Sequence, residues 1–214
     1  MTKKSMLNIN QTVWKIIQTD LAIQKDLNRK LINVRALAKY IIKKHTLPTS
    51  LDAVISAIRR FEGQEKFIEE EKALLSVFND SIVSTKNNMA CITLSLSSRE
   101  FFKKICSTNN SPNFKLASGD QEVKIIVESP NLNHFKSIFL AQEIEKIEQD
   151  LSEITVRVSE VALMTKGVLA RIADELSLAN INIHEIIICP PSFFIYIQQK
   201  DTVKAHDSIL KLSE

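Results

Sequence analysis

The residues best placed to bind a small molecule lie around Gly167, one of three glycines in the chain. A strand pattern ends before it, and a helical pattern over 168–178 begins after it. A residue without Cβ lets the backbone turn sharply and lets a ligand approach the N–H groups at the helix start. Thr165 adds a hydroxyl and Lys166 a positive charge. The pattern favours a carboxylate ligand, although a simple turn explains Gly167 almost equally well.

The backbone and the next predicted strand complete this site. The N–H groups of Gly167, Val168 and Leu169 come at the helix start, where no helical acceptor exists for them. Asn182 lies on a predicted strand over 181–188, and its amide can bind an amino group. The predicted ligand-binding residues are therefore Thr165, Lys166, Gly167, Val168, Leu169 and Asn182.

The sequence shows no arrangement of side chains that is typical of catalysis. The histidines are isolated, and strand alternation predicts that His184 and Glu185 face opposite ways and cannot share a metal ion. Three glycines provide neither a P-loop nor a dinucleotide fingerprint. The three cysteines are far apart and odd in number, which favours free thiols. We predict a protein that is not an enzyme, with no catalytic residues, no metal site and no cofactor.

Charge is distributed unevenly along the chain. Residues 1–62 contain 12 Lys and Arg against 4 Asp and Glu, a net charge of +8, whereas residues 63–214 carry −5. Such a basic segment favours a polyanionic partner, with duplex DNA the first candidate. Basic helices are also often only solvated.

The basic segment is predicted to be helical over residues 10–62, because apolar residues recur at helical spacing behind Asn, Asp and Ser caps. Its layout is similar to a helix-turn-helix or wingless winged-helix unit, with 31–44 as the supporting helix and 49–63 as the recognition helix. That resemblance implies nucleic-acid contacts. Arg59 and Arg60 are explained equally well by the negative end of the helix dipole. The predicted nucleic-acid-binding residues are Arg35, Lys39, Arg59 and Arg60.

From residue 80 onwards, period-two apolar runs alternate with short amphipathic helices. The order β-α-β-β-α is predicted twice, starting near Ala90 and Ile154, and Asn87-Asn88 is predicted to be a hairpin turn. Each series lacks a fourth strand, for which 144–148, 82–86 or a second molecule are the candidates. An open sheet edge favours a homo-oligomer.

The second series resembles a known regulatory unit. The segments ITVRVSE (154–160), KGVLARIADELSLANINIHEI (166–186) and SFFIYIQQKDTVKAHDSIL (192–210) resemble an ACT domain, the βαββαβ unit of aspartokinases and other amino-acid-responsive proteins. Residues 80–150 look like a degenerate first copy by the order of their elements. The resemblance implies an amino-acid effector beside Gly167. In ligand-binding ACT domains an acidic or amide residue and a proline usually precede this glycine, whereas Met164, Thr165 and Lys166 stand here.

These observations predict an α+β protein: an N-terminal all-α, helix-turn-helix-like domain (1–62), a connecting helix (63–79), a degenerate ACT-like unit (80–150) and an ACT domain (151–214), the last two being ferredoxin-like βαββαβ units. Without a signal-peptide or membrane-spanning segment, the expected location is cytoplasmic. The expected function is sensing of an amino acid or small metabolite by a transcriptional regulator that binds DNA. The alternative is a regulatory subunit that does not bind DNA and docks onto a metabolic enzyme.

Overall fold

The structure is a computed structural model that describes residues 8–61, 64–106 and 112–213, with the backbone alone for 64–68 and 163. The chain divides into two compact units, Met1–Lys72 and Ala73–Glu214. The predicted division at 62/63 falls on residues outside the described ranges. Within those ranges, no helix combines the length and the apolar character needed to cross a membrane.

The first unit is helical. Asn8, Asp20, Asn33 and Ser50 each cap a helix by accepting a hydrogen bond from a backbone N–H in the first turn. The apolar sides of these four capped helices form one core, and the Trp14 indole donates to the Ala57 carbonyl oxygen at 2.8 Å. The helices are α1 (Ile9–Gln18), α2 (Leu21–Asn28), α3 (Val34–His45), α4 (Leu51–Arg59) and α5 (Gln64–Ser76), and α5 continues into the second unit.

The second unit contains a six-stranded antiparallel sheet with strand order β2-β3-β1-β4-β6-β5. The helices pack against one face of this sheet in two apolar clusters. The elements in chain order are β1 (Ile82–Leu94), α6 (Ser98–Cys106), β2 (Lys115–Ser118), β3 (Val123–Glu128), α7 (Leu132–Ile138), β4 (Ile144–Arg157), α8 (Val168–Leu178), β5 (Ile183–Cys189), β6 (Ser192–Gln198) and α9 (Thr202–Leu210).

Two long strands, β1 and β4, are shared by the two halves of this sheet. The end of β1, 89–94, pairs with β3 and with the start of β4, whereas its beginning, 82–86, pairs with 153–157. The missing fourth strand of each predicted series is therefore supplied within the chain, by 144–148 for the first and 82–86 for the second. The argument for an oligomer from a missing strand no longer applies, and the outer strands of the sheet are β2 and β5.

The hairpin predicted at Asn87-Asn88 is wrong. Both flanking segments belong to β1 and pair with β4, and the Asn pair forms an irregularity inside the strand, between Lys86 and Met89. Asn88 does have a left-handed backbone (φ 58°), as the turn chemistry suggested. Asp150 of β4 has φ 54° near the same level. Left-handed residues in paired strands are typical of bulges, which bend a sheet.

The sheet folds over so that its two halves face each other on the side away from the helices. Lys124 Nζ of β3 lies 2.9 Å from Glu185 Oε2 of β5, although these strands are four places apart in the sheet. A flat sheet would separate the two strands by roughly 19 Å. Between the halves lies an apolar cluster of Met89, Cys91, Ile126, Leu151 and Tyr196.

A buried carboxylate lies in this inner layer. Glu153 is 5% exposed; its Oε2 lies 2.6 Å from Lys115 Nζ and accepts a hydrogen bond of 2.6 Å from the Tyr196 hydroxyl. Burial, followed by the interaction with Glu153, raises the pKa of Tyr196 well above its usual value, so the phenol keeps the proton that it donates. Lys115 also lies over the Phe194 ring, 4.4 Å from its centroid. This network joins β2 to β4 and β6.

Lys115→Met is expected to lower the free energy of unfolding by about 2 kcal/mol, because it leaves the buried Glu153 carboxylate without its cation. Adding Glu153→Gln should recover part of the loss. The matched control is Lys86→Met, which breaks an ion pair with Glu128 whose side chains are 50% and 45% exposed and should change stability little. Urea denaturation measures all three variants; equal losses for the two lysines would contradict the buried network.

Candidate functional site

A cavity of about 280 Å³ opens where β4 ends and α8 begins. Its walls come from the end of β4, the 3₁₀ turn Glu160–Met164, the first turn of α8 and the turn between β5 and β6. The lining residues are Val158, Ala162, Thr165, Gly167, Val168, Leu169, Ile188, Pro190, Pro191 and Phe193.

Backbone hydrogen bonds hold these walls together. The Val158 N–H donates to the Pro191 carbonyl oxygen at 3.0 Å, which ties the end of β4 to the β5–β6 turn. That turn contains a cis peptide bond between Pro190 and Pro191. On the opposite side, the Thr165 N–H donates to the Ala162 oxygen at 3.2 Å and closes the 3₁₀ turn.

Gly167 sets the direction of α8. Its backbone is left-handed, with φ 87°, and its carbonyl oxygen accepts the helical hydrogen bond from the Arg171 N–H at 2.8 Å. Among the described residues no side chain caps this helix start. Gly167, Val168 and Leu169 line the cavity, so the positive end of the helix dipole lies at the cavity wall.

The lining is chemically simple. Among the described lining residues, Thr165 has the only polar side chain, and its hydroxyl donates to the Val161 carbonyl oxygen at 2.9 Å while keeping its lone pairs as acceptors. None of these lining residues is ionisable. The cavity thus combines an apolar wall with backbone N–H groups, which suits a small molecule that has one anionic end and one apolar end.

The structure brings four of the six predicted ligand-binding residues together: Thr165, Gly167, Val168 and Leu169. Lys166 is exposed and does not line the cavity. Asn182 is exposed and lies just ahead of β5, which begins at Ile183 rather than at 181, so it is not in the lining either. Ligand binding here stays a prediction.

Sequence reasoning missed the wall opposite the helix start. This wall lies more than twenty residues after Gly167 in the sequence, and only the pairing of β4 with β6 brings it to the cavity. Its residues are Ile188, Pro190, Pro191 and Phe193. The Pro190-Pro191 pair was the available signal, because two prolines between apolar strands indicate a rigid turn at one end of the sheet.

The four predicted nucleic-acid-binding residues are all exposed in the first unit. Arg35 lies in the first turn of α3, and Lys39 lies one turn further along. Arg59 is the last residue of α4 and Arg60 its C-cap. None of the four belongs to an ion pair with any other residue that the structure describes. Their contact with nucleic acid stays a prediction.

The expectation that His184 and Glu185 face opposite ways does not hold. A register shift between Ile183 and Glu185 breaks the alternation. Both side chains have partners in the inner layer. His184 Nδ1 lies 3.1 Å from Glu148 Oε1, and Glu185 forms an ion pair with Lys124. Within the described ranges, no group of three or more His, Cys, Asp or Glu side chains is arranged to hold a metal ion.

The fold is similar to solved structures, whereas no family model and no curated protein sequence matches the chain. The regulatory subunits of aspartate kinase from Thermus thermophilus, in its ligand-free form, and from Thermus flavus align with TM-scores of 0.52 and 0.53 at 14% and 13% identity. Each alignment covers 62% of this chain and 97% of the subunit. Aspartate kinase from Clostridium acetobutylicum aligns with a TM-score of 0.52 at 19% identity over 62% of this chain, which spans only 34% of that kinase.

These likenesses define the class of fold. The aligned 62% of the chain has the α+β fold of these regulatory domains, as the resemblance of residues 154–212 to ACT domains predicted. The aligned proteins in the two Thermus cases are regulatory subunits of aspartate kinase.

Gly167→Ala is expected to lower the free energy of unfolding by about 1 to 2 kcal/mol, because an L-residue with a Cβ is strained at φ 87°. Space is not the cause: the added Cβ would lie 3.6 Å from Leu74 Cδ2, an ordinary contact. Gly167→Asn should cost less, since Asn tolerates the left-handed region.

Gly119→Ala is the control for this series. Gly119 has no positive φ, and its added Cβ would meet the Glu122 oxygen at 3.9 Å, so stability should change by less than about 0.5 kcal/mol. Chemical denaturation compares the three variants. Equal effects at the two glycines would show that the left-handed turn at Gly167 carries no special constraint.

Proposed function

We propose that this chain is a regulatory protein that senses a free amino acid or a similar small metabolite in the cavity beside Gly167. The observation that carries the proposal is the meeting of an apolar cavity with the start of α8 in a fold of the ACT regulatory type. The ligand's carboxylate lies against the N–H groups of the first turn, with the Thr165 hydroxyl beside it. Catalysis is not part of this function.

The lining selects among amino acids. Val158, Ala162, Ile188 and Phe193 offer only apolar surface, and the described lining residues have no charge to pair with a charged ligand side chain. Burying an unpaired charge costs far more than burying an apolar group gains. The ligand's side chain is therefore apolar, as in leucine, isoleucine, valine or phenylalanine, and its α-ammonium group stays in water at the open side of the cavity.

We propose that the output of sensing is control of transcription through duplex DNA. The exposed Arg35, Lys39, Arg59 and Arg60, and the net charge of +8 on residues 1–62, support a polyanionic partner. The second candidate is docking onto a metabolic enzyme, which the similarity to kinase regulatory subunits favours. Salt-dependent binding to duplex DNA separates the two.

Association of two copies of the chain through the outer edge of β2 or β5 is also part of the proposal.

A panel of the twenty amino acids tests sensing by thermal shift. Those with apolar side chains are expected to raise the melting temperature, with a stabilisation of about 2.7 kcal/mol at a hundred times the dissociation constant. Aspartate, glutamate, lysine and arginine should leave it unchanged. A panel in which nothing shifts the wild-type protein would contradict amino-acid sensing.

Two matched variants locate the binding site. Ile188 and Leu210 are apolar residues with 46% and 40% exposure, but only Ile188 lines the cavity. Ile188→Asp should abolish the ligand-induced shift, because it places a negative charge beside the ligand carboxylate, whereas Leu210→Asp should leave it intact. If both variants respond to the ligand as the wild type does, the effector binds elsewhere.

A further inference from the structure

A row of cations runs along the exposed side of α3. Arg35, Lys39 and Lys43 are exposed and follow one another at intervals of four residues. Tyr40 and Lys44 form the adjacent row, where the Lys44 ammonium lies 2.7 Å from the Tyr40 hydroxyl oxygen and 5.0 Å from the ring centroid. Helix α3 contains no acidic residue.

No anion among the described residues of the first unit compensates this row. Arg35, Lys39 and Lys43 form no ion pair with any residue in the described ranges. Arg29 is different, because it lies 2.8 Å from Glu71.

This arrangement works against the helix that carries it. Like charges four residues apart repel each other on a helix surface. Arg35 lies in the first turn, where a positive charge opposes the helix dipole. Helix α4 follows the opposite rule, with Asp52 in its first turn and Arg59 in its last. Helix stability therefore explains Arg59, and also Lys43 in the last turn of α3, but it does not explain Arg35 and Lys39.

We propose that Arg35, Lys39 and Lys43 form a contact surface for the phosphate backbone of duplex DNA. The proposal rests on the DNA-binding output given above, and it places the main phosphate contacts on α3 rather than on α4. Four helical residues advance about 6 Å, so the row is about 12 Å long. That length corresponds to about three phosphates of one strand measured along the duplex axis.

The shape of α3 favours a duplex over a lipid surface. A helix that lies in a membrane interface inserts its apolar side into the lipid. In α3 the apolar residues Leu37, Ala38 and Ile41 are at most 3% exposed and belong to the core of the first unit. Only the charged side is available, on a helix fixed by that core.

The test measures binding of the full chain to a duplex of random sequence over a series of NaCl concentrations. One variant is Arg35→Gln/Lys39→Gln/Lys43→Gln. Its control removes the same charge from the same unit: Lys15→Gln/Lys25→Gln/Lys30→Gln. The logarithm of the binding constant falls with the logarithm of salt by about 0.9 per phosphate contact. Losing three contacts should therefore make the slope of the α3 variant shallower by about 2.7, whereas the slope of the control should change by less than about 0.9.

The outcomes separate this inference from the proposed function. Equal losses in the two variants, or a loss confined to Arg59→Gln/Arg60→Gln, would overturn the α3 surface while leaving DNA binding in place. A wild-type protein that does not bind the duplex even at low salt would overturn both. Binding of wild type to anionic phospholipid vesicles but not to DNA would identify a different partner and also overturn the inference.

The melting temperature distinguishes a loss of DNA contacts in the α3 variant from a loss of folding. Removing the repulsion within α3 should leave the melting temperature of its variant equal to or above that of the wild type. A variant that lost DNA binding while melting at a much lower temperature would show that the row stabilises the helix, contrary to the inference.

Discussion

The second unit depends on the pairing of β1 with β4 along almost their whole length. This pair supplies two strands to each half of the sheet, so neither half is complete without the other. The halves are therefore unsuited to independent folding, in contrast to tandem domains joined by a linker. Because the pair bends near Asn88 and Asp150, the inner faces of the halves come together, and side chains from all six strands fill the layer between them.

That inner layer contains more charge than a protein core usually holds. Glu153 is buried, and Lys124 with Glu185 joins strands from opposite halves. Ion pairs of this kind add little net stability, since desolvation offsets most of the attraction. They do require a defined alignment, because a lysine displaced by one residue points to the other face of its strand. We infer that the pairs fix how the halves lie against each other while the apolar cluster supplies the cohesion.

The sequence predicts local structure here better than long-range pairing. Helix α8 begins and ends at the residues that periodicity indicated, since Gly167 punctuates its start. The hairpin prediction at Asn87-Asn88 failed because left-handed asparagine occurs both in hairpin turns and in bulges. Only the register with β4 distinguishes the two. One wall of the cavity was predictable, because the residues next to Gly167 are contiguous in sequence. The opposite wall, with Ile188 and Phe193, was not, because only the order of the strands brings these residues to the cavity. The cations of α3 could be counted from the sequence, but only the structure shows that Arg35, Lys39 and Lys43 form no ion pair with a described residue.

The loop before α8 and the end of helix α5 meet within the second unit. Val77 and Phe78, which directly follow α5, are buried in the same core as Val168 and Ile172 of α8, and Leu74 packs against this core. Leu74 is also the side chain nearest to the position of a Cβ on Gly167. Helix α5 itself begins at Gln64, within the first unit. A displacement of the first turn of α8 would thus act on the end of the helix that continues from the first unit. The regulatory function proposed above needs such a connection, and the covalent continuity of α5 provides it.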